Sequence, residues 1–152
     1  MIVSNPKKTT FQTLSQEHKQ AQLLCQRIRE GIRLQIEPIR ILHYAEWYFL
    51  NHLAMHFEFE QKHIFPVLGK DNVQVKKALS TQRRLTRLFT KNDLIDKRLS
   101  RIEEDLDFLV RFEEKNLFDE VKNKMTTAQR KEIQALEQEP ITTEWDDCFW
   151  QN

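Results

Sequence analysis

The stretch HFEFEQKHIFP, residues 56–66, contains a histidine and a glutamate four residues apart, His56 and Glu60. On a helix, side chains with this spacing lie one turn apart on the same face. An imidazole nitrogen and a carboxylate oxygen can then reach one cation, and such pairs on facing helices form the metal sites in the cores of some helix bundles. Taken alone, the pair is better explained by a hydrogen-bonded histidine and glutamate on a half-exposed face.

Two further metal-competent side chains fall on the apolar faces of other predicted helices. His18 lies in the middle of the face of the first helix, and Glu113 lies in the middle of the face of the fourth. A lone histidine in such a position is often a hydrogen-bonded core residue, but a buried carboxylate without a partner is costly. We therefore expect His18, His56, Glu60 and Glu113 to converge within a few ångströms. Two imidazoles and two carboxylates suit Fe, Zn or Mn.

Amphipathic helices must position these residues, because apolar side chains recur along the chain at the 3.6-residue period. The first helix is predicted from a capping box at Thr13 and Gln16 to about Arg29, with Gly31 as its stop. The others are predicted from about Glu37 to His63, from a cap at Asp71 or Asn72 to about Phe89, from about Leu94 to Lys124, and from a capping box at Thr126 and Gln129 to about Glu137. The inward face of the third helix is expected to hold Val75, Leu79, Gln82, Thr86 and Phe89.

The composition excludes several classes of protein. The chain has 152 residues, of which 39% are hydrophobic and 31% charged, as in a globular protein rather than a disordered one. A formal net charge of +1 does not suggest nucleic acid, and no apolar run approaches the ~20 residues of a membrane span. The N-terminal MIVSNPKKTT lacks the apolar stretch of a secretory signal, and two cysteines are too few for a disulfide scaffold. We therefore expect a cytoplasmic protein.

The scarcity of glycine and proline, with two and four residues, favours long helices over many short strands. Short connections between amphipathic helices favour antiparallel neighbours. The sequence thus predicts an all-α fold, an antiparallel up-down four-helix bundle with a short extra C-terminal helix. We expect one domain over residues 1–152, with the bundle at about 14–125 and the short helix and tail at 126–152.

Three segments together resemble one known family. EHKQAQLL, HFEFEQKHIFPVL and VRFEEKNLF are similar to segments of the hemerythrin-like (HHE cation-binding) domain, and the similarity covers roughly residues 14–125. Members of that family are four-helix bundles that hold a non-haem iron pair. The resemblance implies metal ligands at His18 on the first helix, at His56 and Glu60 on the second, and at Glu113 or Glu114 on the fourth.

The opposite half of the family's site is missing from this chain. Gln82 occupies the position of the third-helix histidine, Thr86 that of any second one, and Leu109 that of the fourth-helix histidine. A leucine cannot bind a cation, and a neutral amide oxygen is a weak ligand for Fe or Zn. We expect Leu109 to pack in the core beside Gln82. Three outcomes stay open: one ion in the surviving half-site, a second ion recruited by His52 or His63, or no metal at all.

The resemblance implies a cytoplasmic metal-binding protein with a role in oxygen or iron sensing or in the stress response. It would bind at most one ion, with Fe as the first expectation, Zn or Mn as alternatives, and no metal as the remaining one. A metal-free helical interaction module that kept only the scaffold is the alternative function. An enzyme, such as a mononuclear iron oxidase, would need an open coordination position and a substrate channel, and the sequence shows neither.

The remaining chemistry-bearing residues have structural interpretations. Cys25 is expected to be a small core residue, and His43 a surface residue off the inward stripe. The basic side of KKALSTQRRLTRLFTK is interpreted as a solvated face. The tail EWDDCFW contains Trp145, Phe149 and Trp150, which either clamp onto the bundle or provide a surface for a protein partner or self-association.

Overall fold

The computed structural model describes residues 11–91, 93–138 and 144–151, and every regular element within these ranges is helical. The α-helices are α1 (Gln12–Arg33), α2 (Pro38–Tyr48), α3 (Ala54–Phe59), α4 (Val73–Thr90), α5 (Ile95–Phe112), α6 (Phe118–Lys124) and α7 (Thr127–Leu136). None of these helices is both long and apolar enough to span a membrane. The all-helical prediction is therefore confirmed for the described part of the chain.

Short π turns join several of these helices without a break. One π turn, Phe49–Leu53, connects α2 to α3, and a second, Glu60–Ile64, follows α3 and leads into a 3₁₀ turn at Phe65–Val67. A third, Glu113–Leu117, connects α5 to α6. The long second and fourth helices of the sequence prediction are thus present as two continuous helical segments, 38–67 and 95–124.

Five helical segments pack around one apolar core. Helix α5 lies against α1, α4 and α2, and α1 also contacts α2. The inward residues of α1 and α5 include Leu24, Ile28, Ile102 and Leu106, which are fully buried. Burial of each such side chain stabilises the fold by ~1.5–3 kcal/mol. Cys25 is buried among them and His43 is exposed, as predicted.

The predicted ends of the first helix were wrong. Helix α1 begins at Gln12, after Phe11 in the left-handed region (φ 70°), and no side chain caps it. Phe11 is instead fixed by burial of its ring against Phe118, 4.9 Å away, and by its backbone N–H, which donates to the Glu137 carboxylate at 2.8 Å. The helix also continues through Gly31 to Arg33. Tertiary contacts therefore override the local capping signals.

The capping signals of α4 and α7 are confirmed. Asn72 caps α4, because its side-chain oxygen accepts hydrogen bonds from the backbone N–H groups of Gln74 and Val75 at 2.9 and 3.2 Å. Thr126 and Gln129 form a reciprocal capping box at the start of α7, with distances of 3.0 and 2.9 Å. Each satisfies backbone donors that the first helical turn leaves without partners.

One position on the predicted inward face of α4 was wrong. Thr86 is exposed, and its hydroxyl donates to the backbone carbonyl of Gln82 at 2.9 Å, while Leu79 is only half-buried. The buried stripe instead consists of Val75, Ala78, Thr81, Gln82, Leu85 and Phe89. The prediction advanced in steps of four and three residues from Val75. The buried face is rotated by part of a turn, so that Ala78 and Leu85 are buried in place of Leu79 and Thr86.

The aromatic tail folds back on α1 and α2. Phe149 is buried and contacts Tyr44 edge-on, with ring centroids 5.6 Å apart. Arg27 lies over the ring of Trp150 at 3.9 Å, and Arg40 binds the Asp147 carboxylate through two nitrogens, at 3.0 and 2.6 Å. Residues 144–151 therefore form a clamp, the first of the two interpretations of the tail.

Candidate metal centre

The four side chains proposed from the sequence as metal ligands meet in the core. His18 comes from α1, His56 from α3, Glu60 from the π turn after α3, and Glu113 from the π turn after α5. Each offers a nitrogen or oxygen atom, and these four atoms all lie within 4.8 Å of one another. The exposed fractions are 3% and 4% for the histidines and 0% for both glutamates. The cluster is therefore sealed from solvent.

Both carboxylates of the cluster sit at the first residue of a π turn, Glu60 in one segment and Glu113 in the other. A π turn adds a residue to the helical repeat, and such turns occur often at functional sites. The extra residue also rotates nearby side chains about the helix axis, so a face counted at 100° per residue does not stay inward. Counted in this way, His52, Phe59 and His63 share the face of His56 and Glu60, but they are only half-buried.

Each imidazole presents one nitrogen to an inner carboxylate and the other to an outer carboxylate. Nε2 of His18 lies 2.8 Å from Glu113, and Nε2 of His56 lies 3.4 Å from Glu60. On the outer side, Nδ1 of His56 lies 2.9 Å from Glu17. Metal-binding histidines usually have their second nitrogen held in this way, which fixes the ring orientation and the tautomer.

Glu114 takes the same outer position at His18. One of its carboxylate oxygens lies 3.6 Å from Nδ1 of His18, and its side chain is 37% exposed, whereas that of Glu113 is 1% exposed. The inward carboxylate of the pair is therefore Glu113. The sequence left open whether Glu113 or Glu114 is the inward carboxylate. In the structure Glu113 faces the inner nitrogen of His18, and Glu114 faces the outer one.

Four buried atoms of the cluster have no hydrogen-bond partner among the described residues: Nδ1 of His18, Nε2 of His56, and one oxygen each of Glu60 and Glu113. Nδ1 of His18 is the outer nitrogen, which faces Glu114 at 3.6 Å, so the other three are the inner ones. Buried polar atoms in native proteins are nearly always hydrogen-bonded, so three such inner atoms in one cluster require an explanation. Nitrogen and carboxylate-oxygen donors of this kind are the ligands that Fe, Zn and Mn accept. The residues present therefore fit a single divalent cation.

The cluster holds protons at neutral pH when no cation is bound. Burial would lower the pKa of His18, but the hydrogen bond to Glu113 and the nearby carboxylate of Glu114 outweigh it and raise that pKa to about 9. Burial and the nearby charge of Glu60 raise the pKa of Glu113 to about 8. Although burial opposes both shifts, the adjacent carboxylates raise the pKa of His56, and His56 lowers the pKa of Glu60. A cation would compete with these protons for the same atoms.

The wall opposite the histidines consists of an amide and an aliphatic side chain. Gln82 donates its amide N–H to the inner carboxylate Glu60 at 2.8 Å, and its own oxygen accepts from Gln61 at 2.8 Å. Leu109 is buried and lines a cavity of about 10 Å³ together with His18, His56 and Glu113. Gln82 therefore does not offer its oxygen to the cluster, and instead fixes one oxygen of Glu60.

Neither additional histidine of the 38–67 segment joins the cluster. His52 packs against Trp47 and Tyr48, with ring centroids 5.2 and 5.0 Å away, and His63 packs against Phe59 at 4.9 Å. Within the described ranges, the group of side chains that could hold a metal comprises His18, His56, Glu60 and Glu113 alone. Sequence reasoning missed Glu17 and Gln61, which lie outside the predicted faces and carry no spacing signal of their own.

The fold and the cluster together define a class: an all-helical protein with a buried group of two histidines and two glutamates. Comparison of the chain with protein-family models, with curated proteins and with solved structures gives no match. The functional interpretation therefore depends on the geometry of the cluster and on the sequence resemblance to the hemerythrin-like domain.

Proposed function

We propose that this chain is a hemerythrin-like metal-binding protein that holds one metal ion between His18, His56, Glu60 and Glu113. The observation that supports the proposal best is the set of four buried ligand atoms within 4.8 Å of one another. The three inner atoms without partners, Nε2 of His56 and one oxygen each of Glu60 and Glu113, add to it, because a cation would satisfy them. Antiparallel up-down packing of α1, the 38–67 segment, α4 and the 95–124 segment is part of the same proposal.

A single ion is favoured by the charge and by the ligands. Two ionised carboxylates balance one divalent cation, whereas a second cation would add charge to a site with no further buried carboxylate among its ligands. The positions from which a second ion would be held carry Leu109, which has no donor atom, and Gln82, whose oxygen is bound to Gln61. Iron is the first expectation, with Zn or Mn as alternatives.

The chain's own residues have distinct roles in such a site. His18 and His56 supply neutral nitrogens, and Glu60 and Glu113 supply negative charge in a core that excludes water. Glu17 and Glu114 hold the outer nitrogens of the imidazoles. Bound iron would supply a redox-active centre, which suits a cytoplasmic role in oxygen or iron sensing or in the stress response. Reversible dioxygen carriage is not proposed, because it relies on two irons.

A metal-free scaffold is the second candidate function, and one observation favours it. His18 and Glu113 already satisfy each other at 2.8 Å, and Gln82 binds Glu60 at the same distance, so part of the cluster is a hydrogen-bonded network without any ion. Such a protein would use the helical surface and not the core.

Metal analysis of the purified protein distinguishes the two candidates. The protein is produced without a histidine tag and without chelators, and its Fe, Zn and Mn contents are measured by mass spectrometry. The proposal expects about one equivalent in total. A protein that is metal-free as isolated and that takes up none of the three ions under anaerobic reconstitution would favour the metal-free scaffold.

A further inference from the structure

A groove on the surface leads to the outer side of the cluster of His18, His56, Glu60 and Glu113. It has a volume of about 270 Å³ and is lined by residues of α1, α3 and the C-terminal end of α7 and the residues after it, namely Thr13, Leu14, Glu17, Met55, His56, Phe59, Leu136, Glu137 and Gln138. About 10–15 Å³ suffices for one water. The groove therefore has room for a cation together with its bound waters.

The groove and the small inner cavity share two lining residues, Glu17 and His56. The inner cavity of about 10 Å³ has room for about one water and is lined by three of the four ligands, His18, His56 and Glu113. The hydrogen-bonded pair of Glu17 and His56, 2.9 Å apart, thus forms the partition between the groove and the inner cavity.

Glu17 differs from the inner carboxylates in its exposure. Its side chain is 28% exposed, whereas those of Glu60 and Glu113 are 0% and 1% exposed. Two carboxylates line the groove, Glu17 and Glu137; that of Glu137 accepts a hydrogen bond from the backbone N–H of Phe11, whereas that of Glu17 contacts His56. A cation in the groove therefore meets Glu17 before it reaches Glu60 or Glu113. The apolar side chains of Met55 and Leu136, which are 48% and 40% exposed, also line the groove.

We propose that this groove is the route by which a hydrated divalent cation reaches the cluster, and that Glu17 is the first carboxylate to bind the cation on the way in. This inference rests on the proposed function. Movement of the Glu17 side chain away from His56 would open the partition, and its return after the cation has passed would fix the His56 ring again. Glu17 would therefore act as a transient ligand and as a positioning residue.

Stopped-flow uptake of Co(II), followed by its visible absorption, tests the route on the full chain. Met55→Trp places a larger side chain in the groove and replaces none of the four proposed ligands, and Leu50→Trp is the matched control, because Leu50 is exposed on the same helical segment but does not line the groove. A barrier raised by about 1.4 kcal/mol slows a rate about tenfold. We expect at least that slowing for Met55→Trp, an unchanged final Co(II) stoichiometry, and wild-type rates for Leu50→Trp.

Glu17→Gln tests the charge at the partition, because its amide oxygen can still accept a hydrogen bond from Nδ1 of His56. We expect slower uptake and a weaker dependence of the rate on ionic strength, since a neutral side chain no longer attracts the cation. Equal uptake rates for wild type and Met55→Trp would overturn the route, whatever Glu17→Gln does. A wild-type protein that binds no Co(II) at all would instead refute the proposed function.

Discussion

His56 has carboxylates on both sides, Glu17 at 2.9 Å and Glu60 at 3.4 Å. If it is a ligand, His56→Ala removes a nitrogen that nothing nearby replaces. An ion that binds only the folded protein stabilises it by ~2.7 kcal/mol at a hundredfold excess over its dissociation constant. Added Fe(II), under anaerobic conditions, or Zn(II) is therefore expected to raise the Tm of the wild type in a thermal melt.

The same ions should leave the Tm of His56→Ala unchanged. His43→Ala is the matched control, because His43 is exposed and lies outside the cluster. It should keep the full metal-induced rise in Tm. A His56→Ala protein that is stabilised by metal as strongly as the wild type would exclude His56 as a ligand.

The pKa values of the cluster predict how stability depends on pH. The pKa of His18 is raised to about 9 and that of Glu113 to about 8, so folding favours the protonated form of each group. Their stabilising contributions are complete below the unfolded pKa values, 6.5 and 4.5, and are lost as pH rises through the folded values. The metal-free protein is therefore expected to lose free energy of unfolding between pH 7 and pH 9.

Urea unfolding in the presence of a chelator, at several pH values, measures this loss. Glu113→Gln removes one of the two titrating groups, so the free energy of unfolding should fall less steeply with rising pH. Glu114→Gln, at the exposed outer position, should reduce this pH dependence less. Metal binding should release protons, because the cation displaces them from the same atoms, and its apparent affinity should rise with pH. A metal-free protein whose stability stays constant from pH 7 to pH 9 would contradict these pKa values.

At the scale of the elements, α4 and α5 form the wall that lacks histidines. Gln82 and Leu109 are both buried, at 1% and 2% exposure, and occupy the places where the resemblance implies imidazoles. Replacing both with histidine should create a second metal position if the helices have the alignment that the resemblance implies. Equilibrium dialysis with Fe(II) or Zn(II) is expected to give one additional equivalent for the double variant.

Arg83 supplies the control for this experiment. It lies next to Gln82 on the same helix but is exposed. Arg83→His combined with Leu109→His should therefore bind no more metal than the parent. The alignment of α4 and α5 with the family would be refuted if the Gln82→His, Leu109→His protein folded normally and bound only as much metal as the parent.

At the scale of the whole molecule, Gly31 is a position in α1 at which α2 and the tail pack close to the helix. A Cβ atom there would lie 2.7 Å from the ring of Phe149 and 2.8 Å from Ile41. Alanine is favoured over glycine within a helix by ~1 kcal/mol, but overpacking a core costs about 1–3 kcal/mol. Gly31→Ala is therefore expected to destabilise the protein on balance.

A double-mutant cycle with Phe149→Ala tests whether overpacking against Phe149 causes this destabilisation. Truncating a buried phenylalanine costs about 3–5 kcal/mol on its own, and it also frees space beside Gly31. The two substitutions should therefore cost less together than the sum of their separate effects in chemical denaturation. Additive effects would show that Gly31 and Phe149 are not in contact.

The helical class and most of the apolar faces could be predicted from the amino-acid sequence, because the 3.6-residue period survives in any arrangement of the helices. The same pattern identified His18, His56, Glu60 and Glu113, since each interrupts a predicted apolar face and such interruptions are costly unless the side chains find partners. The caps at Asn72 and Thr126 could be predicted because each binds a backbone N–H group within three residues. These features depend on local geometry alone.

Contacts between segments could not be predicted in this way and became visible in the folded chain. Glu17 contacts His56 from 39 residues away, and Gln82 turns its N–H toward Glu60 because Gln61 occupies its oxygen. The π turns at Glu60 and Glu113 changed the register of both long segments, which fixed-period reasoning could not detect. Gly31 was interpreted as a helix stop, but it is a contact point for Phe149. Each of these depends on a partner remote in sequence or on a break in the helical repeat, and neither leaves a local pattern in the chain.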